Sequence, residues 1–186
     1  MRNATSFRRV LIANRSEIAL RAIRVCHRLG LETVAVYSTA DTASPHVWAA
    51  TQAVCIGPPP ALQSYLSVPT LLHVALETGC DAVYPGYGFL AENAAFASQC
   101  EENGIKFIGP SSETISTMGD KSRARETAAR FGVPVVPGSD EAYLDMAQAR
   151  QAAIDIGFPL LIKARSGGGG RGMRIVERES DFASAF

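Results

Sequence analysis

The sequence predicts an α/β fold in which a mostly parallel sheet, covered by helices, is followed by a smaller and incomplete α+β unit. Two observations support this prediction. Between residues 9 and 108, short apolar runs of strand length alternate with stretches of helical periodicity, the pattern of repeated βαβ units. After Gly109-Pro110 the alternation stops, and the remaining chain contains helices and one glycine-rich hairpin but too few elements to close a core of its own.

The first part of the chain contains five predicted strands, each a short apolar run bounded by turn residues: 9–13, 33–37, 53–56, 81–84 and 106–108. Helical spacing of apolar residues predicts helices between them, at 17–29, 45–52, 68–78 and 92–103. Ser16 is placed as the N-cap of the first helix, where a hydroxyl can accept a backbone hydrogen bond.

Two loops follow strands at the edge where ligands bind in parallel sheets, beyond the carboxyl ends of the strands. The first is 13–17, after the first strand, and the second is 85–93, after the fourth. In the second loop Gly86 and Gly88 flank Tyr87 and can present an aromatic tip at the sheet edge. Each loop can equally be a plain turn, and the sequence leaves both readings open.

Beyond the sheet, short apolar spacings predict a helix over 112–118 and another over 121–131 with Asp120 as its N-cap. Residues 133–138 resemble a strand, and further helices are predicted at 145–156 and from 179 onward. Lys121 falls in the first turn of its helix, where the helix dipole disfavours a cation unless an anion lies near. A ligand phosphate and a simple solvated lysine are the two explanations.

The stretch Pro159 to Val176 combines a strand, a glycine-rich turn and a second strand. Its turn holds Gly167, Gly168, Gly169, Gly170, Arg171 and Gly172, and Lys163 ends the strand before it. Bare backbone N–H groups beside two cations suit the binding of phosphates. A dinucleotide fingerprint is rejected, because that motif needs a helix after the glycines and a strand follows here. A flexible linker is the alternative, and the flanking strands argue against it.

The composition excludes several classes of function. The 186 residues are 47% apolar, enough for a real core, and 18 basic residues balance 18 acidic ones without a run of like charge. Nothing therefore indicates a nucleic-acid or membrane-surface partner, and no apolar run approaches the ~20 residues of a membrane helix. The N-terminus lacks the apolar region of a secretory signal.

Cysteines and histidines show no metal-ligand or redox spacing. Cys26, Cys55, Cys80 and Cys100 are scattered among apolar neighbours, which predicts buried free thiols in a reducing cytoplasm. The three histidines, His27, His46 and His73, are predicted to be at the surface or half-buried.

Taken together, several stretches resemble the biotin carboxylase family, the ATP-grasp enzymes that carboxylate biotin. They occur in the family's order and spacing over nearly the whole chain: Ile12-Ala13-Asn14-Arg15, Cys55-Ile56-Gly57-Pro58, Ser64-Tyr65-Leu66, Pro85-Gly86-Tyr87-Gly88-Phe89-Leu90, Phe107-Ile108-Gly109-Pro110, Met118-Gly119-Asp120-Lys121, Val136-Pro137-Gly138, and Lys163-Ala164 before Gly167 to Met173. One departure is Ser16, which stands where the family usually has glycine and which an N-cap role would tolerate.

The resemblance implies a Rossmann-like, pre-ATP-grasp N-terminal domain over 1–118, a linker helix over 119–133 and a truncated ATP-grasp lid over 134–186. It also implies that Lys121 and Lys163 reach the phosphates of ATP and that Gly167 to Gly172, with Arg171, fold over them. Tyr87 and Gly88 match the edge of the family's biotin pocket. No catalytic residue or metal ligand is assigned, because the family's acidic ligands and bicarbonate base lie beyond residue 186.

The implied reaction converts ATP and bicarbonate to carboxyphosphate and ADP, with magnesium, and then carboxylates biotin at N1. The implied partners are a biotin carboxyl carrier domain, a carboxyltransferase component and a second copy of the chain, in the cytoplasm, without nucleic acid or membrane. The 186 residues are expected to be an N-terminal fragment that is inactive alone. A non-catalytic dimerisation or regulatory module is the alternative, and which carboxylase is involved stays open.

Overall fold

A computed structural model describes residues 7–139, 142–164 and 172–186, with the backbone alone for Lys121 and Ser122. The chain divides into two compact units, of which the first ends at Gly119 and the second begins at Asp120. The helix assigned to a linker from sequence is grouped with the second unit. The functional division at 118 and 133 remains a prediction.

The first unit is a five-stranded parallel sheet in the order β3-β2-β1-β4-β5. Its strands are β1 Arg9–Ile12, β2 Glu32–Tyr37, β3 Gln52–Cys55, β4 Ala82–Tyr84 and β5 Lys106–Phe107. All five lie within one residue of the predicted bounds, which confirms the predicted α/β class and its parallel sheet.

Helices cover both faces of this sheet: α1 Ser16–Arg28, α2 Pro45–Ala49, α3 Val68–Glu77, α4 Ala94–Glu102 and α5 Ser112–Gly119. Strand β1 is central, so Val10, Leu11 and Ile12 are all fully buried. Leu11 faces the cluster that includes residues of α3, α4 and α5, whereas Val10 and Ile12 face α1.

The start of α1 differs from the prediction. Arg15, not Ser16, is the N-cap, and no side chain caps the helix there. Ser16 is the first helical residue and has a φ of 59°, in the left-handed region that favours glycine. The N-cap prediction is therefore wrong, because the backbone turns one residue earlier than the hydroxyl pattern indicates.

Replacing Ser16 by glycine should stabilise the fold. A left-handed φ costs an L-residue about 1–2 kcal/mol, and glycine loses about 0.5–1 kcal/mol through its greater freedom in the unfolded chain. We expect the free energy of unfolding in urea to rise by about 0.5–1 kcal/mol. Ser44→Gly is the control, because Ser44 precedes α2 with an ordinary φ of −72° and gains nothing from glycine. A Ser16→Gly chain less stable than the parent would contradict the strain at this position.

The second unit packs helices against a two-stranded antiparallel sheet. Its elements are α6 Lys121–Arg130, α7 Met146–Ile156, β6 Leu160–Lys163, β7 Met173–Val176 and α8 Phe182–Ala185. The backbone N–H of Arg123 bonds to Asp120 Oδ1 at 3.0 Å, so the predicted cap of α6 is confirmed. A small core joins α7, β7 and α8 through Ala149, Ala153, Val176 and Phe182.

Two further expectations are corrected. The 133–138 segment forms no strand, because Pro134 and Pro137 lack N–H donors and Arg125 takes two of its carbonyls. Cys55 is exposed, since β3 is an edge strand, and Cys26 is half-buried, whereas Cys80 and Cys100 are buried as predicted. All four are free thiols.

Within the described residues, no helix has the length and apolarity needed to cross a membrane.

Candidate functional site

The carboxyl ends of β1 and β4 lie side by side at the centre of the sheet. The chain moves outward from β1 to β2 and β3 on one side, and then to β4 and β5 on the other, so the sheet has its topological switch point here. Loops at such a point diverge and leave a crevice for a ligand. The loops after β1 and β4 are the two predicted from sequence as candidate site loops.

Asn14 joins these two loops. Its side chain is buried, and its amide nitrogen donates to the carbonyls of Pro85 at 2.7 Å and Tyr87 at 2.9 Å. Its amide oxygen accepts the backbone N–H of Arg15 at 2.8 Å. With two carbonyls on one side and an N–H on the other, the orientation of the amide is determined. Asn14 therefore fixes the second loop relative to the first.

The loop after β4 presents Tyr87 to solvent. Gly86 has a φ of 67°, and a Cβ there would lie 2.9 Å from the amide nitrogen of Asn14, so glycine is required for the close approach. Tyr87 is 66% exposed, and a Cβ on Gly88 would meet no atom within 4 Å. The predicted aromatic tip is thus confirmed as an exposed turn with open space beside it.

A charged network lies behind these loops. We define the Asp41 network as Arg15, Ser38, Asp41 and Tyr65. Asp41 is 3% exposed and accepts hydrogen bonds from Ser38 Oγ at 2.8 Å, from Tyr65 Oη at 2.7 Å and from the guanidinium of Arg15, with which it forms an ion pair. The backbone N–H of Ser38 donates to Tyr65 Oη at 2.9 Å. Every polar group that contacts the carboxylate is a donor.

These donors set the pKa of Asp41. Burial alone would raise it, but the hydrogen bonds from Arg15, Tyr65 and Ser38 outweigh burial and lower the pKa from 3.8 to about 2. For Tyr65, burial and the bond to the Asp41 carboxylate raise the pKa to about 12. At neutral pH the network therefore holds an ionised carboxylate and a protonated phenol.

The stability of the chain should depend on this carboxyl in acid. A pKa lowered from 3.8 to about 2 corresponds to about 2 kcal/mol of stability, at 1.36 kcal/mol per unit. Because the pKa is depressed in the folded state, this stability is present above pH ~4 and is lost as pH falls towards ~2. The free-energy difference between the parent chain and Asp41→Asn, measured by urea unfolding, should shrink across that window. A difference that stays constant would show that Asp41 does not titrate there.

His46 is fully buried, so the prediction that it lies at the surface or half-buried is wrong. Helix α2 packs it against β2, where Nε2 donates to the carbonyl of Val36 at 3.3 Å. Burial, with a smaller contribution from the charge of Arg15, lowers its pKa despite the opposing effects of Val36 and Asp41. The ring is therefore neutral at pH 7 and is a core residue.

The hairpin of the second unit places Lys163 at the end of β6, opposite Met173. The turn is closed at its base by a hydrogen bond from Ala164 N to Gly172 O at 2.8 Å, and Gly172 has a φ of 72°. Residues directly opposite in antiparallel strands share a face, so Lys163 lies with Leu161, Met173 and Ile175, all exposed. The other face of the hairpin packs on the small core.

The remaining predicted site residues are only partly described. Lys121 begins α6, as predicted, but its side chain lies outside the described part of the chain. Gly167, Gly168, Gly169, Gly170 and Arg171 lie wholly outside it. Among the residues that the structure does describe, no cluster of three histidine, cysteine, aspartate or glutamate side chains is placed to hold a metal.

Sequence reasoning missed Asp41 and Tyr65 as partners of the site loops. A signal was available, because Asp41 follows the carboxyl end of β2 just as Asn14 follows β1. Tyr65 carried no comparable signal, since its role depends on a turn that brings it back to β2.

Comparison with known proteins decides the family. Residues 6–115 match the N-terminal domain of biotin carboxylase, more than half of the chain. This chain belongs to the biotin carboxylase family. Residues 120–186 match a second family, described as the ATP-binding domain of the carbamoyl-phosphate synthase L chain.

Related biotin carboxylases are similar over nearly all of the chain. The chloroplastic enzyme of Arabidopsis thaliana is 51% identical over 174 residues, covering 94% of this chain and 32% of that protein. The Pseudomonas aeruginosa biotin carboxylase is 54% identical over 175 residues, covering 94% and 39%. The chain thus spans about a third to two fifths of the relatives it matches.

Solved structures agree in fold. A Campylobacter jejuni biotin carboxylase in complex with β-γ-ATP superposes with a TM-score of 0.92 at 46% identity, over 99% of this chain and 41% of that one. The biotin carboxylase domain of Hydrogenobacter thermophilus 2-oxoglutarate carboxylase, a dimer with MgADP, ADP and bicarbonate, gives 0.90 at 49% identity, over 97% and 40%. The small antiparallel sheet of the second unit is consistent with part of an ATP-grasp lid.

Proposed function

We propose that this chain supplies the phosphate-binding hairpin and the biotin-facing loop of a biotin carboxylase. In the reaction the γ-phosphoryl group of ATP passes to bicarbonate, which gives carboxyphosphate and ADP. The carboxyl group then passes to N1 of biotin, and inorganic phosphate leaves with the N1 proton. The observation that carries the proposal is Lys163, an exposed lysine at the end of β6 directly before the turn closed by Ala164 and Gly172. The family relationship and the nucleotide complexes of similar structures support it.

In this proposal the hairpin binds ATP in two ways. The ammonium of Lys163 pairs with phosphate oxygens, together with Lys121 and the backbone of Gly167 to Gly172 with Arg171. The exposed Leu161, Met173 and Ile175 beside Lys163 offer an apolar face on which a flat base can pack. Phosphoryl transfer depends mainly on positioning and charge stabilisation, which such an arrangement supplies.

The first unit would face biotin. Tyr87 and Gly88 sit on the turn that Asn14 holds at the switch point, and the space beside Gly88 is open. A rigid turn with an exposed aromatic ring suits the edge of a pocket for a small ring system such as the biotin head group. Magnesium accompanies the nucleotide, and no ligand for it is assigned among the described residues.

The partners in this proposal are a biotin carboxyl carrier domain and a carboxyltransferase component. Pairing with a second copy through the first unit is supported by the dimeric Hydrogenobacter thermophilus domain. Four free thiols favour a reducing compartment, and we place the protein in the cytoplasm.

The proposed domain division is an N-terminal domain over 1–118, a linker helix over 119–133 and a partial lid over 134–186.

Calorimetry with MgATP tests the nucleotide assignment. Lys163→Ala should weaken binding at least about tenfold, because a charged hydrogen bond to phosphate contributes about 1.5–3 kcal/mol. Arg174→Ala is the control, since Arg174 is a cation on the opposite face of the same hairpin. Equal binding by the parent and Lys163→Ala chains would contradict the role of Lys163.

A chimera tests the whole reaction. This chain would replace the matching portion of the Pseudomonas aeruginosa biotin carboxylase, to which it is 54% identical. We expect ADP release that depends on bicarbonate and biotin, that is lost with Lys163→Ala and that is kept with Arg174→Ala. A folded chimera without biotin-dependent ADP release would overturn the proposal.

A further inference from the structure

The loop that carries Tyr87 and Gly88 is held from behind by an aromatic stack. Phe89 follows Gly88 directly and has a positive φ of 34°, a conformation that persists in a phenylalanine only when the surroundings hold it. Its ring stacks on Tyr65, with 5.0 Å between the ring centroids and 16° between the planes. The turn next to Phe89 therefore depends on where Tyr65 lies.

The position of Tyr65 is in turn determined by Asp41. The Tyr65 hydroxyl donates to Asp41 Oδ2 at 2.7 Å and accepts the N–H of Ser38 at 2.9 Å. The Asp41 carboxylate is also held by the guanidinium of Arg15, which contacts both of its oxygens. Tyr65 is buried, so its ring cannot turn away from Phe89 without breaking two buried hydrogen bonds.

We propose that Asp41 is a positioning residue for the biotin-facing loop: it fixes Tyr65, which fixes Phe89 and with it the turn at Gly88. This inference rests on the proposed function, because it concerns the same loop. Asn14 holds the first half of the loop through Pro85 and Tyr87, and the Asp41 network holds the second half. The two supports are adjacent in the chain, since Arg15 follows Asn14.

Asp41→Asn tests the inference in the 186-residue chain. The substitution keeps the size of the side chain. It leaves only one acceptor oxygen, whereas the two carboxylate oxygens of Asp41 accept hydrogen bonds from Arg15, Ser38 and Tyr65. The reporter is the amide of Ala91, whose hydrogen bond to Gly88 O at 2.8 Å closes the turn. We expect its hydrogen exchange to accelerate about tenfold or more relative to amides of β1, and the amide resonances of Gly86 and Gly88 to shift.

Asp81→Asn is the matched control. The Asp81 carboxylate also accepts backbone N–H groups, from Arg8 at 2.9 Å and Arg9 at 3.0 Å, but at the opposite end of the sheet. Asp81→Asn should leave the hydrogen-exchange rate of the Ala91 amide and the amide resonance of Gly88 unchanged. Tyr65→Phe is a second test variant, because it keeps the stacked ring and removes only the hydroxyl, and it should move the same amides in the same direction.

Two results of the exchange and resonance measurements would overturn the inference. One is a folded Asp41→Asn chain with the Ala91 exchange rate and Gly88 resonance of the parent. The other is an equal change in Asp81→Asn. Titration with free biotin separates this inference from the function. If Asp41 positions the loop, the biotin-induced shift of the Gly88 amide resonance should saturate at a several-fold higher biotin concentration in Asp41→Asn than in the parent chain. Saturation at the same biotin concentration in both chains contradicts the inference. If biotin moves no loop amide in the parent chain, the biotin assignment fails, while the amide pattern still decides whether Asp41 holds the loop.

Discussion

Asn14→Asp is expected to lower the free energy of unfolding by about 3–5 kcal/mol at pH 7. The amide nitrogen of Asn14 donates to the carbonyls of Pro85 and Tyr87, and an aspartate would place a buried, negatively charged oxygen against both. Two donors are lost and a charge is desolvated, each of which costs about 1–3 kcal/mol or more. Urea unfolding at pH 7 measures the loss. At acidic pH a protonated aspartate can donate one hydrogen bond again, so the loss should be smaller there.

Asn93→Asp is the control for this substitution. Asn93 caps α4, and its side-chain oxygen accepts the N–H of Phe96 at 2.8 Å, a role that aspartate performs equally well. The same chemical change should therefore alter stability by no more than about 0.5 kcal/mol. A similar decrease in the free energy of unfolding for both variants would show that the Asn14 amide does not hold the two loops together.

Gly57→Ala is expected to cost about 3–4 kcal/mol. Gly57 has a φ of 132°, and a Cβ there would lie 2.5 Å from the carbonyl oxygen of Gln63, a backbone atom that cannot rotate away. The positive φ costs about 1–3 kcal/mol, and displacing the backbone beside Ser64 and Tyr65 costs about the same again. The carbonyl of Gly57 also accepts the N–H of Thr39, so the disturbance should reach the Asp41 network.

Gly79→Ala separates the two contributions. Gly79 has a φ of 64°, but a Cβ there would meet no atom within 4 Å, so only the conformational cost applies. Thermal or urea unfolding should show a loss of about 1–2 kcal/mol for Gly79→Ala. A Gly57→Ala chain that lost no more than this would show that the turn at Gln63 relaxes without cost.

The strands were predictable because β1, β2 and β4 are buried on both faces, so their sequences are continuous apolar runs. The proximity of the two candidate site loops followed as well, since the carboxyl ends of neighbouring parallel strands meet at one edge of the sheet. The φ of Ser16 was missed because a serine before a helix usually acts as a cap, although the glycine that the family usually has at this position indicates a positive φ. The burial of His46 depends on the packing of α2 against β2, and the Tyr65–Asp41 bond depends on the turn that brings Tyr65 back to β2, neither of which follows from local periodicity.

The order of the strands has a consequence for how the chain acquires its structure. Leu11 pairs with Val34 on one side and with Val83 on the other, so β1 lacks one of its two neighbours until β4, far along the chain, has been synthesised. Until β4 emerges from the ribosome, one edge of the most apolar strand has unpaired backbone groups. Long-range parallel pairing of this kind forms slowly, because the chain between the strands loses conformational entropy before any stabilising contact is made. The two site loops therefore come together only after β1 and β4 have paired.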